Sequence, residues 1–227
     1  MSWDEAFANR YDDWSADMTE DIPFYVKLAR EAAGPLVELA VGNGRVAIPV
    51  ARATGRAVMG IDSSPEMLEQ ARTRAADMGV ELDLREGDMR ELTLDEPADL
   101  IYCPYRALLH LPTWADRRRT FERVAASLRP GGRFAWNAFA FDHHIAVQLD
   151  GRHQNHPVPH TIRYAVGDNR VDITLDEGGT SSIWWATKNE WLGLLDVAGL
   201  HLEALYGNFE EEPADDSSRE YVFIARR

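Results

Sequence analysis

The chain has 227 residues, 45% hydrophobic and 27% charged, with a formal net charge of −14. That length buries a full core as one domain. The acidic balance weighs against a broad nucleic-acid surface, since phosphate binding requires clustered Lys and Arg. Cys103 is the single cysteine, which excludes an intrachain disulfide and fits a reducing compartment. No apolar run is long enough to span a bilayer and no basic-then-apolar leader opens the chain. The expectation is a cytoplasmic protein with no membrane or nucleic-acid partner.

Residues 1–34 are acidic and aromatic, with Trp3, Phe7, Tyr11, Trp14, Phe24 and Tyr25. They predict one or two amphipathic helices before the first strand. Leu36 to Val50 is the centre of the chain. It opens as a short apolar strand, breaks at Gly42-Asn43-Gly44 and resumes as an apolar helix, whose first turns Pro49 is expected to make irregular. Strand, glycine turn and helix together bring a ligand against backbone N–H groups. Gly42 and Gly44 lack Cβ, so the turn can be tight and a ligand can approach. Gly42-x-Gly44-x-x-Ala47 with Asp62 some twenty residues on fits a dinucleotide site. Glu38, however, would repel a pyrophosphate and attract a cation.

Val58 to Asp62 predicts a second strand ending in a carboxylate. Such an acid can accept hydrogen bonds from both hydroxyls of a ribose. Ser64 caps the next helix, Pro65 suits its first position, and Met67, Leu68, Ala71, Ala75 and Met78 recur at helical spacing before Gly79. Val80 to Arg85 predicts the third strand and Ala98 to Cys103 the fourth. The loop Pro104 to Leu111 then lies beyond the carboxyl end of a strand, where open α/β sheets bind ligands. His110 in that loop is either a general base, a substrate contact or a packed histidine. Thr113-Trp-Ala-Asp116 opens a helix running to about Leu128, with Arg117, Arg118 and Arg119 on a solvated face. Arg129-Pro-Gly-Gly-Arg133 turns into the strand Phe134 to Phe139.

From Phe141 to Trp185 the pattern changes, and five of the seven histidines fall there: His143, His144, His153, His156 and His160. Pro157 and Pro159 keep the last three from sharing one helical face and no cysteine joins them, so no metal is expected. Thr161–Val166, Val171–Leu175 and Thr180–Ala186 predict an antiparallel insertion. Thr187-Lys-Asn-Glu190 opens a last helix that ends at Gly199. Leu200–Tyr206 and Glu220–Ala225 predict the final strands, one of them antiparallel, around an acidic loop.

Glu38-Leu-Ala-Val-Gly-Asn-Gly-Arg45 resembles the first motif of class I S-adenosylmethionine-dependent methyltransferases, with Ala40 where many members have glycine. Asp62 matches the family's ribose acid, with Ser63 beside it. Gly87-Asp88-Met89 resembles the adenine loop, although Asp88 could instead simply cap a turn. Pro130-Gly-Gly132 resembles the turn before the fifth strand, and Tyr11-Asp12 the Tyr-Asp pair of the N-terminal lid. The resemblance is close over Tyr11 to Phe139 and loose over Thr187 to Arg227.

It implies an α/β fold: a doubly wound, mostly parallel seven-stranded sheet with helices on both faces and an antiparallel insertion after the fifth strand. Residues 1–227 would form one domain, with a lid at 1–34 and a substrate cover at 141–186. The implied cofactor is S-adenosylmethionine, leaving as S-adenosylhomocysteine. It would be held by Tyr11, Glu38, Ala40, Gly42, Asn43, Gly44, Arg45, Asp62, Ser63, Met67, Asp88, Met89 and Cys103. The implied reaction is methyl transfer to an O, N or C nucleophile of a small molecule. Tyr105, Arg106, His143, His144, Trp184 and Trp185 would line the acceptor, with His110 as the candidate catalytic group. The alternative for Trp184 and Trp185 is a homodimer interface. Cys103-Pro104-Tyr105 lacks the leading Asn or Asp of the Asn-Pro-Pro-Tyr signature, against DNA or protein glutamine as acceptor. An NAD-dependent oxidoreductase is the rival enzyme, disfavoured by Glu38 and by the missing Tyr-x-x-x-Lys pair. A non-catalytic cofactor-binding protein is the rival of another class.

Overall fold

The computed structural model describes residues 10–227. Trp3, Phe7 and the first part of the expected lid lie outside the described residues. Among the described residues two helices, α1 (Tyr11–Ser15) and α2 (Asp21–Glu31), precede β1 (Leu36–Leu39). Then α3 (Ala47–Thr54), β2 (Val58–Asp62), α4 (Pro65–Asp77), β3 (Leu82–Glu86), β4 (Ala98–Cys103), α5 (Trp114–Ser127) and β5 (Leu128–Phe139) follow. The insertion holds α6 (His143–Leu149), β6 (His153–Gln154), β7 (His160–Ala165), β8 (Arg170–Leu175) and β9 (Thr180–Trp184). The chain closes with α7 (Lys188–Ala198), β10 (His201–Tyr206) and β11 (Glu220–Arg226).

The seven-stranded sheet runs β10-β11-β5-β4-β1-β2-β3. Strands β1 to β5 pair in parallel, while β11 is antiparallel to both of its neighbours. Both faces are covered, as a parallel sheet requires. Alternate residues serve opposite cores. Leu36, Leu100, Tyr102 and Ala135 pack against Phe24, Tyr25 and Leu28 of α2, Val50 of α3 and Leu68 of α4. Val37, Leu39, Ile101, Phe134 and Trp136 pack against Phe121 and Val124 of α5 and Trp191 and Leu194 of α7.

The local signals act as read. Ser64 accepts from the Met67 amide at 3.1 Å, and Gly199 ends α7 at φ +70°. Thr187 and Glu190 exchange both bonds of a capping box. Pro49 does not disturb α3. It is the third helical residue, where the N–H has no intrahelical partner to lose, and Val50 bonds Val46 at 3.0 Å. Strand β5 begins at Leu128, earlier than expected, because the Pro-Gly-Gly stretch is absorbed into a register shift against β4. Arg117 is not solvated: it is 4% exposed, donates to the Trp184 carbonyl and lies 5.3 Å from the Trp191 ring.

The insertion is a separate four-stranded antiparallel sheet, β6-β7-β8-β9. Its own core is Val158, Val171, Ile173, Leu175 and Trp185, with Trp14 of α1 packed against it. Among the described residues no helix is long and apolar enough to cross a membrane.

Candidate functional site

The site is built where the carboxyl ends of β1, β2 and β4 meet. After β1 the backbone turns left-handed at Ala40 (φ +54°), Gly42 (+53°) and Gly44 (+82°). Asp62 ends β2 and pins this loop. Its Oδ2 accepts the Gly42 N–H at 2.7 Å and its Oδ1 the Ser64 N–H at 2.9 Å. Exposed Ser63 lies between these anchored positions. A Cβ on Gly42 would stand 3.3 Å from Met67 Cε and 3.9 Å from the Tyr11 ring. A Cβ on Gly44 would instead meet Ile48 at 2.9 Å and Ala71 at 3.6 Å. The space beside Gly42 is bounded by Met67 and Tyr11. Gly44 is bare so that α3 and α4 can pack.

Glu38 lies in register with Gly60 of β2 and Tyr102 of β4. It is 1% exposed, and among the described residues its Oε2 has no hydrogen-bond partner. Burial pushes its pKa well above the usual carboxylate range; the neighbouring Tyr102 hydroxyl and then Arg45 oppose this, and Asp21 and Asp62 add to it. A buried carboxylate oxygen without a donor is costly unless a cation or donor meets it. An ammonium or sulfonium group fits that need, and a pyrophosphate does not. With Asp62 fixed for a ribose and Gly42 bare, the residues present fit S-adenosylmethionine.

Several expected cofactor contacts have other duties. The Asn43 side chain is fully buried and donates to Asp12 of the lid at 2.9 Å. Arg45 donates to both oxygens of Asp21 (2.7 and 2.5 Å) and to the Met18 carbonyl (2.6 Å). These two side chains bind the N-terminal segment. Asp88 caps the turn after β3, accepting the Arg90 amide at 2.8 Å. The Arg90 guanidinium beside it holds its carboxyl below the usual range. Half-buried Met89 packs toward the core of the α5 face. Cys103 offers no thiol to a ligand: it is fully buried in that same core, and burial pushes its pKa up.

On the acceptor side the loop after β4 carries two consecutive left-handed residues, Tyr105 (φ +57°) and Arg106 (+60°). Other groups hold this unfavourable backbone. The Tyr105 hydroxyl donates to the Trp14 carbonyl at 3.2 Å, and its ring lies 4.9 Å from Arg45 and 5.6 Å from Tyr11. Arg106 donates to Glu220 at 3.0 and 2.5 Å. Glu220 also accepts from Asn137 at 2.7 Å, and Asn137 accepts from Tyr25 at 3.2 Å. Asp21, Tyr25, Asn137 and Glu220 are absent from the sequence-based set. Asn137 carried a usable signal, a polar residue inside an apolar strand.

The remaining candidates scatter. The His110 ring bonds the Ser182 backbone, and burial drives its pKa down to about 4. It is a neutral tie between the loop and β9 and too weak a base to take a proton near neutral pH. His143 and His144 stand exposed on α6 with ring centroids 3.9 Å apart. Trp184 is half-buried. Trp185 is 3% exposed and stacks on Phe141 at 4.2 Å. It sits in the insertion core, beside Phe141 and Tyr164. His153, His156 and His160 go separately to Asp176, Asp17 and the Val158 carbonyl.

Residues 36–132 match the family model described as a methyltransferase domain. The 27-O-demethylrifamycin SV methyltransferase of Amycolatopsis mediterranei is 31% identical over 222 residues, covering 88% of this chain and 79% of that one. The dTDP-4-amino-2,3,4,6-tetradeoxy-D-glucose N,N-dimethyltransferase of Saccharopolyspora spinosa is 27% identical, covering 90% and 86%. Among solved structures, the CcbJ methyltransferase of Streptomyces caelestis superposes with a TM-score of 0.83 at 24% identity, over 100% of this chain and 98% of that one.

Proposed function

The chain belongs to the class I S-adenosylmethionine-dependent methyltransferases, and we propose that it methylates an amine nitrogen of a small molecule. The observation that carries the choice of nitrogen is that, among the described residues at the ends of β1 and β4, no group other than Glu38 is shifted toward neutral pH. Of the groups at the ends of β1 and β4, Tyr11 is pushed up to about 12, Tyr105 and Cys103 are also raised, and His110 falls to about 4. Glu38 is buried under the glycine loop and faces the cofactor's positive charge. A hydroxyl acceptor needs a base poised near the working pH. A neutral amine brings its own lone pair. The amino-sugar N,N-dimethyltransferase among the relatives supports this reading.

In this reading Glu38 meets the ammonium or sulfonium, Asp62 accepts from the ribose, and Asp88 with Met89 borders the adenine. Tyr11 closes the pocket over Gly42. Tyr105 and Arg106 edge the acceptor, held by Trp14 and Glu220, and the insertion covers it. Bound S-adenosylmethionine would supply an activated methyl group, the pocket would hold the amine lone pair in line with it, and the product ammonium would give its proton to solvent. Alignment of the two reactants can supply about 7–11 kcal/mol, so the chain's task is positioning.

The test is S-adenosylhomocysteine formation across matched panels of small amines, amino sugars among them, and their hydroxyl counterparts. Turnover with amines, rising with pH as more amine is unprotonated, is expected. Turnover confined to hydroxyl acceptors, as the name of the rifamycin relative would suggest, overturns the nitrogen assignment.

A further inference from the structure

Helix α1 touches two regions of the molecule. Toward the glycine loop, the Tyr11 ring lies over Gly42. Asp12 accepts from Asn43 at 2.9 Å and from Arg74 of α4. Toward the insertion, the Trp14 ring meets His160 edge-on at 4.9 Å and packs on the insertion core. Asp17 pairs with His156 at 2.6 Å and Arg10 with Glu177. The His160 ring is itself fixed: it is 3% exposed and its Nδ1 bonds the Val158 carbonyl at 2.7 Å. The ion pairs are exposed and contribute little. The Trp14 contact, with its apolar area, is the main tie.

The two edges of the insertion are held differently. Strand β9 is fastened to the main sheet's layers by Arg117 on the Trp184 carbonyl and by His110 on Ser182. The opposite edge, with His153, His156 and the start of β7, meets Trp14 of α1 and Asp17 just after it.

We propose that α1 links the cofactor pocket to the acceptor cover: a ligand seated under Tyr11 fixes α1, and Trp14 then holds the β6–β8 edge of the insertion in place. Cofactor binding thereby strengthens acceptor binding, and acceptor binding strengthens cofactor binding by the same factor. The proposal rests on the reading of the insertion as the acceptor cover. Its physical basis is that a ligand stabilises whatever segment it orders, and that segment's other contacts share the gain.

Hydrogen exchange by mass spectrometry on the full chain, with and without S-adenosylhomocysteine, tests the link without an acceptor. In the wild type, ligand should slow exchange in residues 36–62 and also in 153–175, the latter on the order of fivefold or more. Trp14→Ala should keep the protection at 36–62 and lose that at 153–175, while Trp14→Phe keeps both. Should Trp14→Ala fail to fold, His160→Ala removes the same contact from the other side. Wild-type protection confined to 36–62, or insertion protection surviving in both alanine variants, overturns the link. No protection in either region overturns the link and the cofactor site together. Protection as expected in an enzyme that turns over no amine leaves the link standing and removes only the nitrogen assignment.

Discussion

Arg45 and Asp21 face each other through paired hydrogen bonds, Nη1 to Oδ1 at 2.7 Å and Nη2 to Oδ2 at 2.5 Å, with Asp21 wholly buried. The pair fastens the start of α2 to the glycine loop. Arg45→Met would leave a buried carboxylate without its partner and should cost about 3–5 kcal/mol of stability, read from denaturant midpoints. Replacing both, Asp21→Leu with Arg45→Met, should recover most of that loss. Equal stability of the single variant and the wild type would show that the pair carries no weight.

Ala40 sits at φ +54°. A left-handed conformation costs an L-residue about 1–2 kcal/mol, and glycine's extra freedom in the unfolded chain takes back about 0.5–1 kcal/mol. Ala40→Gly should therefore stabilise by about 0.5 kcal/mol, and Ala40→Val should destabilise, because branched side chains tolerate this region worst. The order of the denaturation midpoints, Gly above Ala above Val, is the measurement. A valine variant as stable as wild type would contradict the backbone reading.

Asp62 already accepts the Gly42 and Ser64 amides. A ribose bound there would use its remaining lone pairs, so charge and orientation would both matter. Asp62→Asn turns an amide NH2 toward one of those donors and removes the charge. Affinity for S-adenosylhomocysteine should fall by about 1.5–3 kcal/mol in calorimetry. Unchanged affinity removes Asp62 from the ribose.

What was legible in the chain was local. Strands β2 and β4 and helices α4 and α7 begin and end where their caps, glycines and apolar periods place them, because those signals act within a few residues. The positions of Glu38 within β1 and of Asp62 at the end of β2 were legible for the same reason. What was hidden depends on chain closure. Arg45 reads as a cofactor residue until Asp21 is seen beside it, Arg106 as a substrate residue until Glu220 is, and Arg117 as solvated until the Trp184 carbonyl is. Trp185 sits in an alternating stretch whose buried side the sequence does not identify, and β6 is too short to leave a period. Helix α6 was missed although Asp142 caps it, accepting the His144 amide at 2.7 Å.

The His110 pKa of about 4 in the folded chain lies below its ordinary value of 6.5. A base with a depressed pKa contributes stability that is complete above the unfolded value and is lost as pH falls through the folded one. Between about pH 6.5 and 4, wild-type thermal midpoints should fall more steeply than those of His110→Gln. Parallel curves would show that the ring is not held neutral by burial. His110→Gln should also keep its turnover number. A large loss of kcat with cofactor affinity intact would return His110 to the role of base.

Glu38 gives the opposite sign. Burial raises its folded pKa above the ordinary 4.5. The stability this contributes is present below that ordinary value and is lost as pH rises through the folded one. Glu38→Gln stays neutral, so the free protein should gain on the wild type as pH rises. The positive charge of S-adenosylmethionine reverses the balance, because an ammonium or sulfonium beside the carboxyl favours its ionised form. Binding should then release a proton from Glu38 and tighten with rising pH. Titration calorimetry over a pH series, with paired buffers of different ionisation enthalpy at each pH, should show proton release for the wild type below its raised folded pKa and none for Glu38→Gln. A wild-type binding enthalpy independent of the buffer would mean that Glu38 does not change charge when the cofactor arrives. The unpartnered Oε2 would then have to be met by a neutral donor instead.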